Sequence, residues 1–283
     1  MKANNNIIKQ TINSVLEGKI LTEGVKYDEI KDKFTFDFYN DGHVDIISLT
    51  KYGYQIKAFN HCYYYGYEFE SNVDSKLRAK FIKSIKFPDG KINETDKKVF
   101  INNAVNQLDN MVSIPSFNII IYPESISELN RDMLKYLNRL TQSNLVSMEM
   151  VKQLPQNIEF DYDRFNLEIL DSKLENGRPR YTEKQKEDVL LKINNMMDNI
   201  RQKDYFSIAR NIEKAKYRPY IKNYYTFKTD KDKQLFKSLE NNNILIIDDI
   251  VTSGTTLTHI LTTLRMINDN NNIVIFSLIG KNV

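Results

Sequence analysis

The chain has 283 residues, enough for one large domain or two modest ones. Its hydrophobic content of 41% and charged content of 27% are ordinary for a globular protein. No apolar run approaches the roughly 20 residues that a bilayer crossing needs, and the N-terminus has no apolar signal segment, so we expect a cytoplasmic protein without a membrane partner. The net charge of +3 is small and the lysines are interspersed with acids, which predicts no nucleic-acid partner.

The first third of the chain has the pattern of a small α+β region. Residues 34–38 alternate apolar and polar side chains, residues 40–42 read Asn-Asp-Gly, and residues 43–49 resume an apolar-rich pattern. This arrangement predicts a β-hairpin. Residues 52–59 and 63–69 are predicted to extend the same sheet.

Two amphipathic helices are predicted next, because apolar residues recur every four positions among lysines and other polar residues. The first stripe consists of Leu77, Phe81 and Ile85; the second, after a candidate cap at Thr95, consists of Phe100, Ala104 and Leu108.

From about residue 113 the pattern becomes that of a parallel α/β core. Short apolar runs at 117–121 and 145–151 flank a helical stripe over 129–140, which predicts a right-handed β-α-β unit. Residues 155–240 are charged and look like an insertion, helical over 183–201. A last strand, helix and strand follow, with the two strands at 244–247 and 273–278.

The segment from 244 to 256 carries the clearest chemistry. It reads Ile-Leu-Ile-Ile-Asp-Asp-Ile-Val-Thr-Ser-Gly-Thr-Thr. The apolar run places Asp248 and Asp249 at the carboxyl end of a buried strand, where α/β sheets open their binding crevice. The hydroxyl-rich turn that follows leads into a helix, so its backbone N–H groups, the Thr and Ser hydroxyls and the flexible Gly254 would form an anion site. Carboxylates beside such a site suit a sugar phosphate.

Two other interpretations explain this segment less well. The aspartates and hydroxyls could merely cap the helix, although capping needs only one such residue. A run ending in Asp-Asp also resembles the acidic strand of P-loop nucleotidases, but Gly-x-x-x-x-Gly-Lys-Ser/Thr occurs nowhere in the chain.

The whole segment resembles the signature of type I phosphoribosyltransferases, which bind phosphoribosyl pyrophosphate (PRPP). The resemblance implies that Asp248 and Asp249 contact the ribose diol as catalytic residues. It assigns the 5′-phosphate to Thr252, Ser253, Gly254, Thr255 and Thr256. Mg²⁺ would arrive with PRPP, held by substrate oxygens and water and by no dedicated protein ligand.

The resemblance also implies a fold: a parallel-sheet, Rossmann-like phosphoribosyltransferase core over 113–283, with an N-terminal α+β region over 1–112 and the helical insertion at about 155–240. In layout the chain is similar to the late competence protein ComF family. The loop after the first core strand would hold pyrophosphate through Pro123, Glu124, Ser125, Ser127 and Arg131. A polar turn followed by a solvated helix start explains these residues equally well.

The resemblance therefore implies an enzyme that transfers ribose 5-phosphate to an acceptor nitrogen, usually of a nucleobase, and releases pyrophosphate. A PRPP or nucleotide sensor without catalysis, and a structural protein on the same fold, stay open as alternatives, as does a homodimer. Two further expectations concern single residues. The tyrosines within 63–67 either pack in the core or stack on a base, with packing favoured. His259 is expected to be exposed or partly packed.

Overall fold

The computed structural model describes residues 19–22, 25–36, 62–69, 73–125, 127–141, 145–212, 214–251 and 254–280. The predicted strands at 43–49 and 52–59 lie outside this part of the chain, as do Thr252 and Ser253. Among the described residues, no helix combines the length and the hydropathy that a bilayer crossing needs.

The helices and strands follow one another in mixed order along the chain. The strands are β1 (Lys19–Thr22), β2 (Val25–Asp28), β3 (Lys33–Phe36), β4 (Cys62–Glu68), β5 (Ile119–Pro123), β6 (Val146–Lys152), β7 (Glu159–Phe160), β8 (Ile221–Lys222), β9 (Tyr225–Phe227), β10 (Asn243–Ile250) and β11 (Asn272–Gly280). The helices are α1 (Ser75–Lys86), α2 (Glu94–Val112), α3 (Leu129–Leu140), α4 (Tyr162–Phe165), α5 (Glu183–Arg201), α6 (Ile208–Asn211), α7 (Asp230–Lys237) and α8 (Thr255–Ile267).

These elements form two compact units. The first comprises the described parts of residues 1–147, 241–253 and 272–283; the second comprises those of 148–240 and 254–271. The sequence-based boundary at residue 112 stays a prediction. In the structure, β4 from the N-terminal region is a strand of the same sheet as β5, β10 and β11.

The first unit is built on parallel strands in the order β4-β11-β10-β5. Residues 244–247 are fully buried, as expected for a parallel strand covered on both faces. The predicted α/β fold with a mainly parallel sheet is thereby confirmed. The prediction that residues 63–69 extend the N-terminal hairpin is wrong, because β4 pairs in parallel with β11 instead.

Helices α1, α2 and α3 pack with the parallel strands in one hydrophobic core. Their predicted apolar stripes are buried, and Tyr67 of β4 stacks on Phe100 of α2 with ring centroids 3.7 Å apart. The predicted cap at Thr95 is wrong by two residues: the side chain of Asn93 accepts a hydrogen bond from the backbone N–H of Thr95 and begins α2. Tyr63 and Tyr65 are also buried, so packing and not base stacking accounts for these rings.

A small antiparallel sheet, β1-β2-β3, belongs to the same unit. Phe34 of β3 is buried against Phe81 of α1 with an edge-to-face contact of 5.1 Å between centroids. The predicted strand at 34–38 therefore exists in part, and its partner among the described residues is β2.

The second unit contains the antiparallel pairs β6/β9 and β7/β8 together with α5 and α8. The predicted helix over 183–201 is confirmed. It begins with a capping box, in which Thr182 and Gln185 exchange side-chain and backbone hydrogen bonds. His259 of α8 is 4% exposed, so the expectation of an exposed or partly packed side chain is wrong.

Candidate functional site

The acidic pair lies at the carboxyl end of β10, as its position in the sequence predicts. Strand β10 is flanked by β11 and β5, and its pairing with β5 ends at Ile246 opposite Ile121. Neighbouring parallel strands end at the same edge of a sheet, so the loop after β5 lies beside Asp248 and Asp249. Both aspartates are buried, at 7% and 4% exposed.

Asp249 is surrounded by hydrogen-bond donors. The ammonium of Lys86 contacts both carboxylate oxygens, at 2.9 Å from Oδ1 and 2.8 Å from Oδ2. The hydroxyls of Ser127 and Ser125 donate to Oδ2 at 2.9 and 3.2 Å. A carboxylate oxygen accepts about two strong hydrogen bonds, so Oδ2 is fully engaged while Oδ1 can accept another.

Asp248 has a different environment. Its Oδ1 accepts a hydrogen bond from the backbone N–H of Asp249 at 2.9 Å. Burial raises the pKa of the Asp248 carboxyl well above its usual range, and the neighbouring Asp249 charge raises it further; Lys86 partly offsets both effects. A buried carboxylate with so little compensation favours a ligand that brings hydrogen-bond donors or positive charge.

The loop between β5 and α3 brings some of its predicted residues to the acidic pair and leaves others at the surface. The buried Pro123 carbonyl accepts from the Asn130 side chain at 3.1 Å, which ties the two ends of the loop together. Ser125 and Ser127 point to Asp249. Glu124 and Arg131 are exposed, and among the described residues neither bonds to the acidic pair.

In the second unit, Gly254 directly precedes α8. Its φ of +67° is a left-handed conformation that glycine adopts without strain, and the predicted role of Gly254 in binding the 5′-phosphate stays a prediction. Gly254 is the N-cap residue, so the interpretation of the aspartates as helix caps is wrong. Thr255 and Thr256 form the first turn of α8 and are half-buried.

Lys86 is the functional candidate that sequence reasoning missed. It stands in the last turn of α1, 163 positions from Asp249. The chain contains 40 lysines and arginines, and nothing in the local pattern distinguishes this one. Only the packing of α1 in the first unit identifies it.

The described residues therefore define an α/β protein with a cluster of carboxylate, lysine and serine side chains at the carboxyl edge of a parallel sheet. No protein-family model matches the chain, and no curated protein sequence matches it.

Solved structures similar to the chain include a hypoxanthine phosphoribosyltransferase from Staphylococcus aureus in two crystal forms. The tetragonal form matches with a TM-score of 0.33 and 14% identity over 65% of this chain and 64% of its own. The orthorhombic form matches with a TM-score of 0.32 and 13% identity over 66% and 68%. The match thus spans about two thirds of that enzyme's length.

Proposed function

We propose that the chain binds PRPP and transfers ribose 5-phosphate to an acceptor nitrogen, with release of pyrophosphate. The observation that carries the proposal is the buried pair Asp248 and Asp249 at the carboxyl end of β10, followed directly in the sequence by the hydroxyl-rich segment 252–256. Ribose hydroxyls donate hydrogen bonds that the carboxyl oxygens of this pair can accept. The hydroxyls and backbone N–H groups of the segment suit the 5′-phosphate.

The chemistry follows from the charges. The acceptor nitrogen attacks ribose C1, the bond from C1 to the pyrophosphate oxygen breaks, and pyrophosphate leaves with the bonding electrons. The proton of the nucleobase N–H is lost to solvent water in the same transfer. Positive charge develops on the ribose ring during this step, and carboxylates next to the ring favour it electrostatically. A nucleobase is the acceptor that we propose, in keeping with the resemblance of segment 244–256 to type I phosphoribosyltransferases and of the layout to the ComF family.

Mg²⁺ fits the donor set of the site. Hard carboxylate oxygens are ligands of the kind that it prefers, and the poorly compensated Asp248 would gain from a nearby cation. Among the described residues, no cluster of three or more His, Cys, Asp or Glu side chains forms a site of its own. We propose that Mg²⁺ would enter with PRPP, held by substrate oxygens and water, and would supply positive charge that neutralises the diphosphate.

A PRPP sensor without catalysis is the second candidate. It is favoured by the exposed Arg131, because among the described residues no bond to the acidic pair holds this cation of the proposed pyrophosphate loop beside the ribose site. A sensor would bind PRPP and leave it intact with every acceptor.

Calorimetric titration with Mg²⁺-PRPP and a pyrophosphate-release assay across a panel of nucleobases test these proposals together. We expect Asp249→Asn to weaken PRPP binding about tenfold or more, because a hydrogen bond to a charged acceptor contributes roughly 1.5–3 kcal/mol. Asp188→Asn, which removes an exposed carboxylate in α5, is the matched control. Binding without turnover would select the sensor, and no binding by the wild-type chain would reject both functions.

A further inference from the structure

The contact between Lys86 and Asp249 has features of a ligand-binding pair as well as of a structural one. Lys86 lies in the last turn of α1 with 24% of its side chain exposed, whereas Asp249 is buried. The lysine stem therefore reaches the acid from a partly open position. A lysine ammonium on four flexible carbons can change partners without moving the helix that carries it.

Hydrogen-bond capacity limits what Asp249 can do while Lys86 stays in place. Lys86, Ser125 and Ser127 together fill Oδ2 and occupy part of Oδ1. Two ribose hydroxyls that donate to this carboxylate must displace at least one of these donors. Of these three donors, Lys86 is the one that is charged, and its side chain is partly exposed to solvent. A new anionic partner can therefore offset the loss of its ion pair with Asp249.

We propose that Lys86 is a pyrophosphate-binding residue: it pairs with Asp249 in the ligand-free site and contacts the diphosphate of PRPP when the ribose takes its place. The inference rests on the proposed PRPP binding and adds a residue to that site. Lys86 would also supply a cation beside the predicted pyrophosphate loop, because it shares Asp249 with the loop residues Ser125 and Ser127. The loop's own cation, Arg131, is exposed and does not bond to the acidic pair.

Ligands with and without the diphosphate separate this role from a structural one. Mg²⁺-PRPP, ribose 5-phosphate and inorganic pyrophosphate would be titrated into the wild-type chain, Lys86→Gln and the control Lys83→Gln, which changes an exposed lysine in the same turn of α1. We expect Lys86→Gln to weaken PRPP binding 10- to 100-fold and ribose 5-phosphate binding less than threefold. Pyrophosphate binding should weaken by a smaller factor than PRPP binding, because no ribose then displaces Lys86 from Asp249. Lys83→Gln should leave all three within twofold.

Each other outcome has a definite meaning. If Lys86→Gln lowers the affinity for PRPP and for ribose 5-phosphate equally, Lys86 acts only by holding Asp249. If the affinity for PRPP is unchanged, Lys86 does not contact the bound molecule. Either result overturns the inference and leaves the proposed function standing. If the wild-type chain binds none of the three ligands, both the proposed function and the inference fall.

A second measurement needs no variant, in case Lys86→Gln does not fold. Acetylation of the wild-type chain by a water-soluble ester, read at each lysine by mass spectrometry, reports the accessibility of the Lys86 ammonium. PRPP should slow acetylation of Lys86 at least fivefold while ribose 5-phosphate should not, and Lys83 should be unaffected. Equal protection by both ligands, or protection by neither, contradicts the inference.

Discussion

His259 gives a prediction whose size follows from the structure. The side chain is buried in α8, with its ring 5.4 Å from that of Tyr224. Burial lowers the pKa of His259 from 6.5 to about 4, and interactions with the backbone of Arg218 and Ile221 offset only part of the effect. The neutral imidazole is thus the form that the folded chain holds.

The sign and magnitude follow from proton linkage. Because the pKa is lower in the folded state, the unfolded chain binds more protons at this site between pH 6.5 and 4. The contribution to stability is therefore complete above pH 6.5 and is lost as the pH falls toward 4. At pH 5 the His259 side chain is roughly one-tenth protonated in the folded chain and almost fully protonated in the unfolded chain. This difference lowers the free energy of unfolding by about 2 kcal/mol relative to pH 7.5.

The assay compares urea unfolding of the wild-type chain and His259→Gln at pH 7.5 and pH 5. The chain has no tryptophan, so far-ultraviolet circular dichroism is the appropriate signal. Other titrating groups are common to both proteins and cancel in the double difference. We expect the wild-type chain to lose about 2 kcal/mol more than the variant between the two pH values. Equal losses would refute the assignment of a buried, neutral histidine.

Two further predictions concern the first unit. A Cβ atom added at Gly66 would lie 2.5 Å from the Cβ of Ala104, so Gly66→Ala should lower the free energy of unfolding by about 1–3 kcal/mol. Adding Ala104→Gly to the same chain should restore part of this loss. Thermal unfolding of the wild-type chain and the two variants checks this, and an unchanged stability of Gly66→Ala would contradict the packing of β4 on α2. Asp248→Asn should raise the free energy of unfolding at pH 8 by roughly 1–2 kcal/mol, because it removes a buried, poorly compensated charge. The same variant should weaken PRPP binding about tenfold or more, because it removes a charged hydrogen-bond acceptor for the ribose. The pKa of Asp248 is raised in the folded state, so the protonated carboxyl stabilises the fold at low pH, and this contribution is lost as the pH rises through the raised pKa. In denaturant titrations of both chains, the free energy of unfolding should therefore depend less on pH in the variant. An equal pH dependence in the two chains would count against the burial of this charge.

Much of the secondary structure could be predicted because its causes are local. The stripe over 129–140 and the capping box before residue 183 contain within a few turns all that their helices need. The cap of α2 differs from the predicted one because Asn93 and Thr95 are both good capping residues two positions apart, and only the backbone conformation distinguishes them. The predicted partner of β4 is wrong for a related reason, since an apolar strand pattern does not indicate which strand lies next to it.

The candidate site divides in the same way. Asp248 and Asp249 follow an apolar run in the sequence, so their place at a strand end was evident, and the serines after β5 follow from the rule that parallel strands end together. Lys86 follows from no such rule. It reaches Asp249 because α1 packs in the same core as β10, a long-range arrangement that burial of Phe81 and Ile85 makes favourable.

The positions of most helices and strands, of the acidic pair and of the glycine before α8 can be predicted from the amino-acid sequence, because periodicity, chain order and backbone freedom are properties of neighbouring residues. The partner of β4, the burial of His259 and the contact of Lys86 with Asp249 follow only from the three-dimensional fold. These depend on which apolar surfaces cover one another across long separations in the chain, and no local pattern records that choice.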